Sequence, residues 1–249
     1  MKKALRNFTR RFGIDIVRYY PTPEERAKAI DFDGENSSFL KLFTLNSIDL
    51  VLDVGANTGQ FAIDFFKTGY DGKIVSFEPL SSAYSELVTA SKLYSDWIVA
   101  ERCAIGDTNG EIEINISKNP QSSSILPMLQ SHLDASPNSL YVGSEKVKVY
   151  RLSDVAAQYV TKAKAVFLKI DVQGFENQVL SGAVEILPKI KGMQLEMSLV
   201  PLYQGETLFD EMLDKMRTIG FKLYNIYPGF TDYRTGRMLQ CNGIFFREN

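Results

Sequence analysis

Val51-Leu-Asp-Val-Gly-Ala-Asn-Thr-Gly59 is the stretch from which the rest of the chain can be organised. Leu50 to Val54 is a short apolar run of the kind that forms a strand buried on both faces. Gly55 to Gly59 is a turn of small residues, and Gln60-Phe-Ala-Ile-Asp-Phe-Phe66 opens a helix. Gly55 and Gly59 are expected to let the backbone approach a ligand without Cβ interference, and Asn57 is one of the few non-glycine residues that tolerate left-handed dihedrals. In open α/β sheets a ligand sits beyond the C-terminal ends of the strands, where strand order reverses, so this turn marks a candidate binding crevice.

Downstream of this unit, short apolar runs alternate with helical patterns, the rhythm of βαβ units around a mostly parallel sheet. Strands are predicted near Leu50–Val54, Lys73–Phe77, Trp97–Ala104, Ala165–Asp171, Met193–Met197, Phe221–Tyr227 and Ile244–Phe246. Helices are predicted near Gln60–Lys67, Ser82–Tyr94, Glu176–Leu187 and Leu208–Ile219. One stretch breaks the rhythm. Ile112, Ile114 and Ile116 alternate with polar residues, and Val147-Lys-Val-Tyr150 alternates again, which predicts an inserted antiparallel hairpin between about 110 and 150. Between its arms, Asn119–Gly143 is rich in Ser, Pro and Asn without periodicity and reads as a long loop, a common form of lid or binding segment.

In Val75-Ser-Phe-Glu-Pro79 a carboxylate, Glu78, ends the second strand about 20 residues past the turn, where it can accept two hydrogen bonds from a ribose diol. A nicotinamide site favours G-x-G-x-x-G, with a pyrophosphate at the helix N-terminus. Here the pattern is Asp53-x-Gly55-x-Asn57-x-Gly59. An anion at the mouth of the site repels pyrophosphate and suits a ligand with an ammonium and a sulfonium, so charge favours S-adenosylmethionine over NAD. Cys103-Ala-Ile-Gly-Asp107 follows the third strand. Asp107 there is either a contact for the adenine amino group or part of a plain turn around Gly106.

Composition removes other classes. At 249 residues, with 45% hydrophobic and 23% charged residues, the chain suits one ordinary α/β domain with a short appendage. We divide it into an N-terminal segment and connector, 1–45, and a main domain, 46–249. A net charge of −2 disfavours nucleic acid as a partner. One His and two separated Cys make neither a zinc site nor a disulfide framework, so a reducing cytoplasm is expected. No apolar stretch is long enough to span a bilayer, and no signal peptide pattern is seen. Residues 1–20 read as a basic amphipathic helix, either packed on the domain or in peripheral contact with the inner face of a membrane.

Together with Leu168-Lys-Ile-Asp-Val-Gln-Gly-Phe-Glu176 and the F-E-P, A-I-G-D, S-S-S-I, L-S-D and late L-E pieces, the first turn resembles the FkbM-type methyltransferase family from about Asn46 to Glu196. The resemblance implies the Rossmann-like class I methyltransferase fold, with a seven-stranded, mostly parallel sheet whose last strand is antiparallel. It also implies S-adenosylmethionine-dependent methylation of hydroxyl groups, often on sugars. By position, Asp53, Gly55, Asn57, Gly59 and Glu78 would hold the cofactor, with Asp107 as an additional candidate. Many members carry Glu where this chain has Gln173.

Transfer of a methyl group to an alcohol needs in-line geometry and a group to take the hydroxyl proton, or a metal ion to acidify it. Asp171, ending the fourth strand beside the first, is the leading candidate for contact with the reacting centre, as base or metal ligand. Glu196, a carboxylate within the apolar run Met193–Leu199, is the second, and the two could together bind Mg²⁺ or another hard divalent cation. His132, the only histidine, is the third, carried over the acceptor by the long loop. Glu176 is explained by the dipole of its helix. Tyr203, Tyr227, Phe230 and Tyr233 are candidates for stacking on sugar rings, and Ser122 to Ser124 for binding acceptor hydroxyls. The expected acceptor is a sugar hydroxyl of a glycan, glycolipid or glycosylated metabolite. The alternatives are a polyketide or lipid hydroxyl, or a non-catalytic binding module with the same fold.

Overall fold

In the computed structural model, which describes Thr22 and residues 35–248, the decisive strand is β1 (Leu50–Val54), buried at all five positions. Leu50, Leu52 and Val54 enter one apolar core and Val51 enters another, so β1 is the middle of a three-layer structure. Helix α1 (Glu35–Leu45) precedes it and α2 (Gln60–Lys67) follows. The expected basic helix over residues 1–20 lies outside the described residues.

The chain continues through β2 (Lys73–Phe77), α3 (Ser81–Ser91), β3 (Trp97–Val99), β4 (Ala104–Gly106), β5 (Gly110–Ser117), α4 (Gln130–Ala135), β6 (Tyr141–Arg151) and α5 (Leu152–Val160). Then come β7 (Val166–Ile170), α6 (Glu176–Gly182), β8 (Ile190–Ser198), α7 (Phe209–Thr218), β9 (Lys222–Pro228), β10 (Thr231–Asp232), β11 (Arg237–Met238) and β12 (Gln240–Phe246). Seven strands form the main sheet in the order β3-β2-β1-β7-β8-β12-β9. β12 alone runs antiparallel to its neighbours β8 and β9, and the remaining pairs are parallel. This is the expected seven-stranded α/β sheet with its last strand reversed. Strand order switches direction at β1, between β2 and β7, so the crevice opens beside the turn that follows β1.

Helices α5, α6 and α7 cover one face, with Leu152, Val179 and Met212 packed on Leu52 and Leu168. The other face carries α1, α2 and α3. Phe39 and Phe43 of α1 meet Phe65 and Phe167 edge-on or tilted at 4.5–5.6 Å between ring centroids. Burying an aromatic side chain in this way contributes about 2–3 kcal/mol. Helix α1 therefore belongs to the core of the domain, although the sequence reading placed residues up to 45 in an appendage. Among the described residues no helix is long and apolar enough to cross a membrane.

Two expectations change. The strand predicted over Trp97–Ala104 is two strands in different sheets. After β3 the chain turns away, held by Arg102 donating to Pro79 O at 2.8 Å, and β4 joins the inserted hairpin in a second sheet of order β4-β6-β5. The hairpin itself, β5 antiparallel to β6, is as expected. The segment read as a structureless loop contains α4 and two single 3₁₀ turns, Pro120–Ser122 and Pro137–Ser139. These pieces are too short to leave a periodic signature. Serine hydroxyls hold them: Ser117 donates to Ser139 O at 2.8 Å, and the Ser122 and Ser139 hydroxyls meet at 3.0 Å.

Candidate active site

The turn after β1 is sewn to both neighbouring strands. Gly55 and Ala56 N–H both donate to Phe77 O at 3.1 Å, and Asp171 N–H donates to Val54 O at 3.1 Å. Gly55 has φ +80°, and a Cβ there would sit 1.8 Å from Asp171 O. At Gly59, φ +91°, a Cβ would fall 2.4 Å from the Trp97 ring. The reason these positions are glycine is therefore close packing of the turn on β7 and β3, which corrects the expectation that both leave room for a ligand. Gly55 still presents backbone to the cavity, whereas Gly59 is not part of its lining.

Asn57 adopts φ +50°, as its residue type permits, and its N–H donates to Glu78 Oε2 at 2.8 Å. Glu78 Oε1 accepts from Leu80 N–H at 2.8 Å. Both contacts favour the carboxylate, but burial outweighs them and pushes Glu78 up to about 7. The side chain lines the cavity with lone pairs left for a diol.

Asp53 does not stand at the mouth. It is fully buried beneath the turn, paired with Lys169 Nζ at 3.2 Å and accepting from Ser76 Oγ at 3.1 Å, and Trp97 Nε1 donates to that serine at 2.9 Å. Its charge is compensated by an ammonium, so it sets the geometry of β1, β2 and β7 and does not repel an incoming diphosphate. Asp107 is also displaced from its expected place. It is exposed on the turn after β4, outside the cavity, to which this stretch contributes Cys103, Ala104 and Ile105 instead.

The cavity measures about 490 Å³, within the usual range for a small-molecule site. Its first half runs from Gly55, Asn57 and Glu78 to an apolar slot between Leu80, Ile105, Ile114 and Ile125. The last two come from the inserted region. Its second half is a chain of polar side chains at the ends of β7, β8 and β12. Lys169 Nζ lies 3.6 Å from Asp171 Oδ2 and 5.4 Å from the centre of the Phe61 ring. Gln173 Nε2 donates to Asp171 Oδ1 at 3.0 Å and to Glu196 Oε2 at 2.7 Å, and Gln240 Nε2 adds a bond to the same Glu196 oxygen at 2.9 Å. Asp171 and Glu196 thus share the crevice with Gly55, as expected from their strand ends.

Lys169, Gln173 and Gln240 were not read from the sequence as site residues. Lys169 carried a usable signal, a charge inside the buried strand Val-Phe-Leu-Lys-Ile. As a divalent-cation site the Asp171 and Glu196 pair does not fit. The amide of Gln173 bridges the two carboxylates and the Lys169 ammonium adjoins them. Among the described residues no three His, Cys, Asp or Glu side chains gather as metal ligands.

His132 lines the cavity but is buried on α4, 5.2 Å from the Tyr203 ring and 5.1 Å from that of Phe230. Burial pushes it down to about 4, so near neutrality it is an uncharged imidazole of low basicity. Of the four aromatic candidates only Phe230 lines the cavity. Ser122, Ser123 and Ser124 also line it, but their hydroxyls hold the segment in place, Ser124 donating to Gln173 O at 2.6 Å and Ser123 accepting from Ser117 N–H at 3.0 Å. Glu176, at the start of α6, accepts from Val172 and Gly174 N–H and is structural.

Comparison with known proteins gives these observations a family. The profile described as Methyltransferase FkbM domain matches residues 53–223. "Methyltransferase sdnD" of Sordaria araneosa is 26% identical over 203 residues, covering 73% of this chain and 78% of that protein. "2-O-methyltransferase NoeI" of Sinorhizobium fredii (strain NBRC 101917 / NGR234) is 26% identical over 185 residues, covering 72% and 74%. The solved structure of methyltransferase FkbM from Methylobacillus flagellatus KT superposes with a TM-score of 0.46 at 15% identity, over 91% of this chain and 58% of that one. With more than half its length matched by the family profile, the chain belongs to the FkbM methyltransferases.

Proposed function

We propose that the protein is an S-adenosylmethionine-dependent O-methyltransferase whose acceptor is a sugar hydroxyl of a glycan, glycolipid or glycosylated metabolite. The observation that carries this reading is one cavity shared by two carboxylate systems. Glu78 is fixed beside the Gly55 turn by two backbone N–H groups, and Asp171 and Glu196 stand across from it. When bound, the cofactor supplies an electrophilic methyl on a sulfonium.

Glu78 would hold the ribose diol, the backbone C=O groups of Gly55 and Asn57 the ammonium of its amino-acid end, since the N–H groups of the turn are all engaged within the protein, and Leu80, Ile105 and Ile114 the adenine. With Lys169 set against Asp53, the lining still carries Asp171 and the raised carboxyls of Glu78 and Glu196, whose ionised forms a cationic ligand stabilises and a diphosphate opposes. On the acceptor side, amides (Gln121, Gln240, Asn119) and the aromatic rings of Phe61 and Phe230 suit a hydroxylated ring. A polyketide or lipid chain would leave those amides without hydroxyl partners. The 2-O-methyltransferase name of one relative is in keeping with oxygen as the acceptor atom. A cytoplasmic location belongs to the same reading, since both cysteines are free and buried.

Isothermal titration with S-adenosylmethionine and S-adenosylhomocysteine is expected to give micromolar binding, and no heat with either would overturn the donor assignment. Incubation with methyl-labelled S-adenosylmethionine and a panel of methyl hexosides, alongside surface-glycan and lipid extracts, tests the acceptor. Label in a sugar ether supports the reading, and label confined to a non-sugar product would replace it.

A further inference from the structure

Asp171 and Glu196 sit side by side in the acceptor half, and their surroundings differ. Both oxygens of Asp171 are engaged, Oδ1 by the Gln173 amide at 3.0 Å and Oδ2 by the Lys169 ammonium at 3.6 Å. In Glu196 the two amide donors, Gln173 and Gln240, converge on Oε2 at 2.7 and 2.9 Å. Among the described residues Oε1 receives no hydrogen bond, and the side chain lines the cavity. One carboxylate is tied at both ends, while the other is held by one oxygen and offers its second to the cavity.

The amide that makes this asymmetry is itself oriented. Tyr203, fully buried, donates its hydroxyl to Gln173 Oε1 at 2.8 Å. The two carboxylates, which only accept, mark Nε2 as the amide nitrogen, and the phenol, which also lies 3.3 Å from Ser122 O, holds the carbonyl oxygen Oε1 at the other side. Gln173 is also held in a left-handed backbone conformation, φ +57°, that costs a non-glycine residue energy. Ser124 donating to its carbonyl oxygen helps keep it there. The turn carrying Tyr203 is fixed in its turn by Glu206, which accepts from Ser198 Oγ at 2.6 Å and from Leu202 and Tyr203 N–H.

We propose that Glu196, through Oε1, takes the proton of the acceptor hydroxyl, and that Gln173 and Tyr203 are the positioning residues that aim it. This rests on the methyl-transfer reading above. As the O–H bond breaks the proton passes to Glu196. The oxygen forms its bond to the methyl carbon, and the pair of the broken carbon–sulfur bond stays on sulfur. Burial raises Glu196 well above the ordinary carboxylate range, and the carboxylates of Asp171, Glu176 and Glu206 push the same way against the Lys169 ammonium. Cys241 and Tyr203, the other titratable groups facing it, are also raised by burial and stay neutral.

The test is a carboxyl ¹³C NMR titration of glutamate-labelled protein, which needs neither cofactor nor acceptor. Glu196, assigned by its loss in Glu196→Gln, is expected to titrate well above the other glutamates that face solvent. Gln173→Leu removes a donor and moves the midpoint up by about one unit. Tyr203→Phe frees the amide to turn and moves it in the same direction by less. A midpoint in the ordinary range, or one unmoved in both variants, overturns the proposal, and Tyr203→Phe alone decides if Gln173→Leu does not fold. On a methyl hexoside turned over by the wild type, Glu196→Gln lowers kcat by about 10²–10⁴-fold with little change in KM, and kcat within threefold of wild type overturns the assignment. Failure of S-adenosylhomocysteine to bind wild-type protein would remove the donor reading while leaving the titration result intact.

Discussion

The two halves of the cavity are built by different means. The donor half is made from consecutive chain, β1, its turn and the end of β2, and its contacts are mostly backbone: Gly55 and Ala56 N–H on Phe77 O, and Asn57 and Leu80 N–H on Glu78. The acceptor half is made from side chains that arrive from four separate segments, ending in Asp171 and Gln173, Glu196, Tyr203 and Gln240. Backbone geometry tolerates almost no substitution at its glycines, whereas a side-chain network can be retuned one residue at a time. One face of the crevice is therefore rigid and general and the other adjustable.

The sharpest way to break this contrast is Gly55→Ala. With a Cβ placed 1.8 Å from a backbone oxygen at φ +80°, the variant is expected to lose about 3 kcal/mol or more of stability. A melting temperature near that of wild type would show the turn to be pliable. Next is Glu78→Gln, expected to weaken S-adenosylhomocysteine by about 10–100-fold by calorimetry, since charged hydrogen bonds to a diol are lost. Glu196→Gln is expected to leave that affinity within about threefold. Equal losses in the two variants would mean that the halves are not separate.

A smaller effect concerns pH. Glu78 in the folded protein is pushed up to about 7 from an ordinary 4.5, so between those values the folded chain keeps a proton that the unfolded chain has released. Ligand-free stability should fall as pH rises through that window, and Glu78→Gln should flatten part of the slope in denaturant titrations. A slope unchanged by the substitution would place the buried proton elsewhere. Smallest of all, Asp107→Ala should leave S-adenosylhomocysteine affinity within about twofold. A larger loss would return this exposed residue to the donor site.

The same contrast explains what could be read in advance. The β1–turn–α2 unit and Glu78 were legible because each is encoded by neighbouring residues with a fixed period or turn chemistry, whereas the reversed last strand was expected only from the family resemblance. Asp53 was legible as a site residue and misread in its role. Its partner Lys169 lies on a strand far along the chain, and only the register of β1 beside β7, Asp53 opposite Lys169, brings them together. The two glycines were rightly singled out for the wrong neighbour, since no local pattern reveals Asp171 O or Trp97 lying against them. In the acceptor half Asp171 and Glu196 were legible from their strand ends, but the wiring between them stayed hidden, because Gln173 and Gln240 are common polar residues whose meaning appears only when strands from distant parts of the chain align. Helix α5 went unrecognised because it follows β6 with no intervening loop residue to mark its start.

The contact between Gly59 and Trp97 has a practical corollary. Trp97 is the only indole in the chain, and it lies directly under the donor turn with its Nε1 tied through Ser76 to Asp53. Emission from this protein under selective excitation therefore comes from one known depth beneath one known turn. A ligand that shifts this turn is expected to change that emission, without a dye or a label, even though the indole lies beneath the cavity and not in its lining.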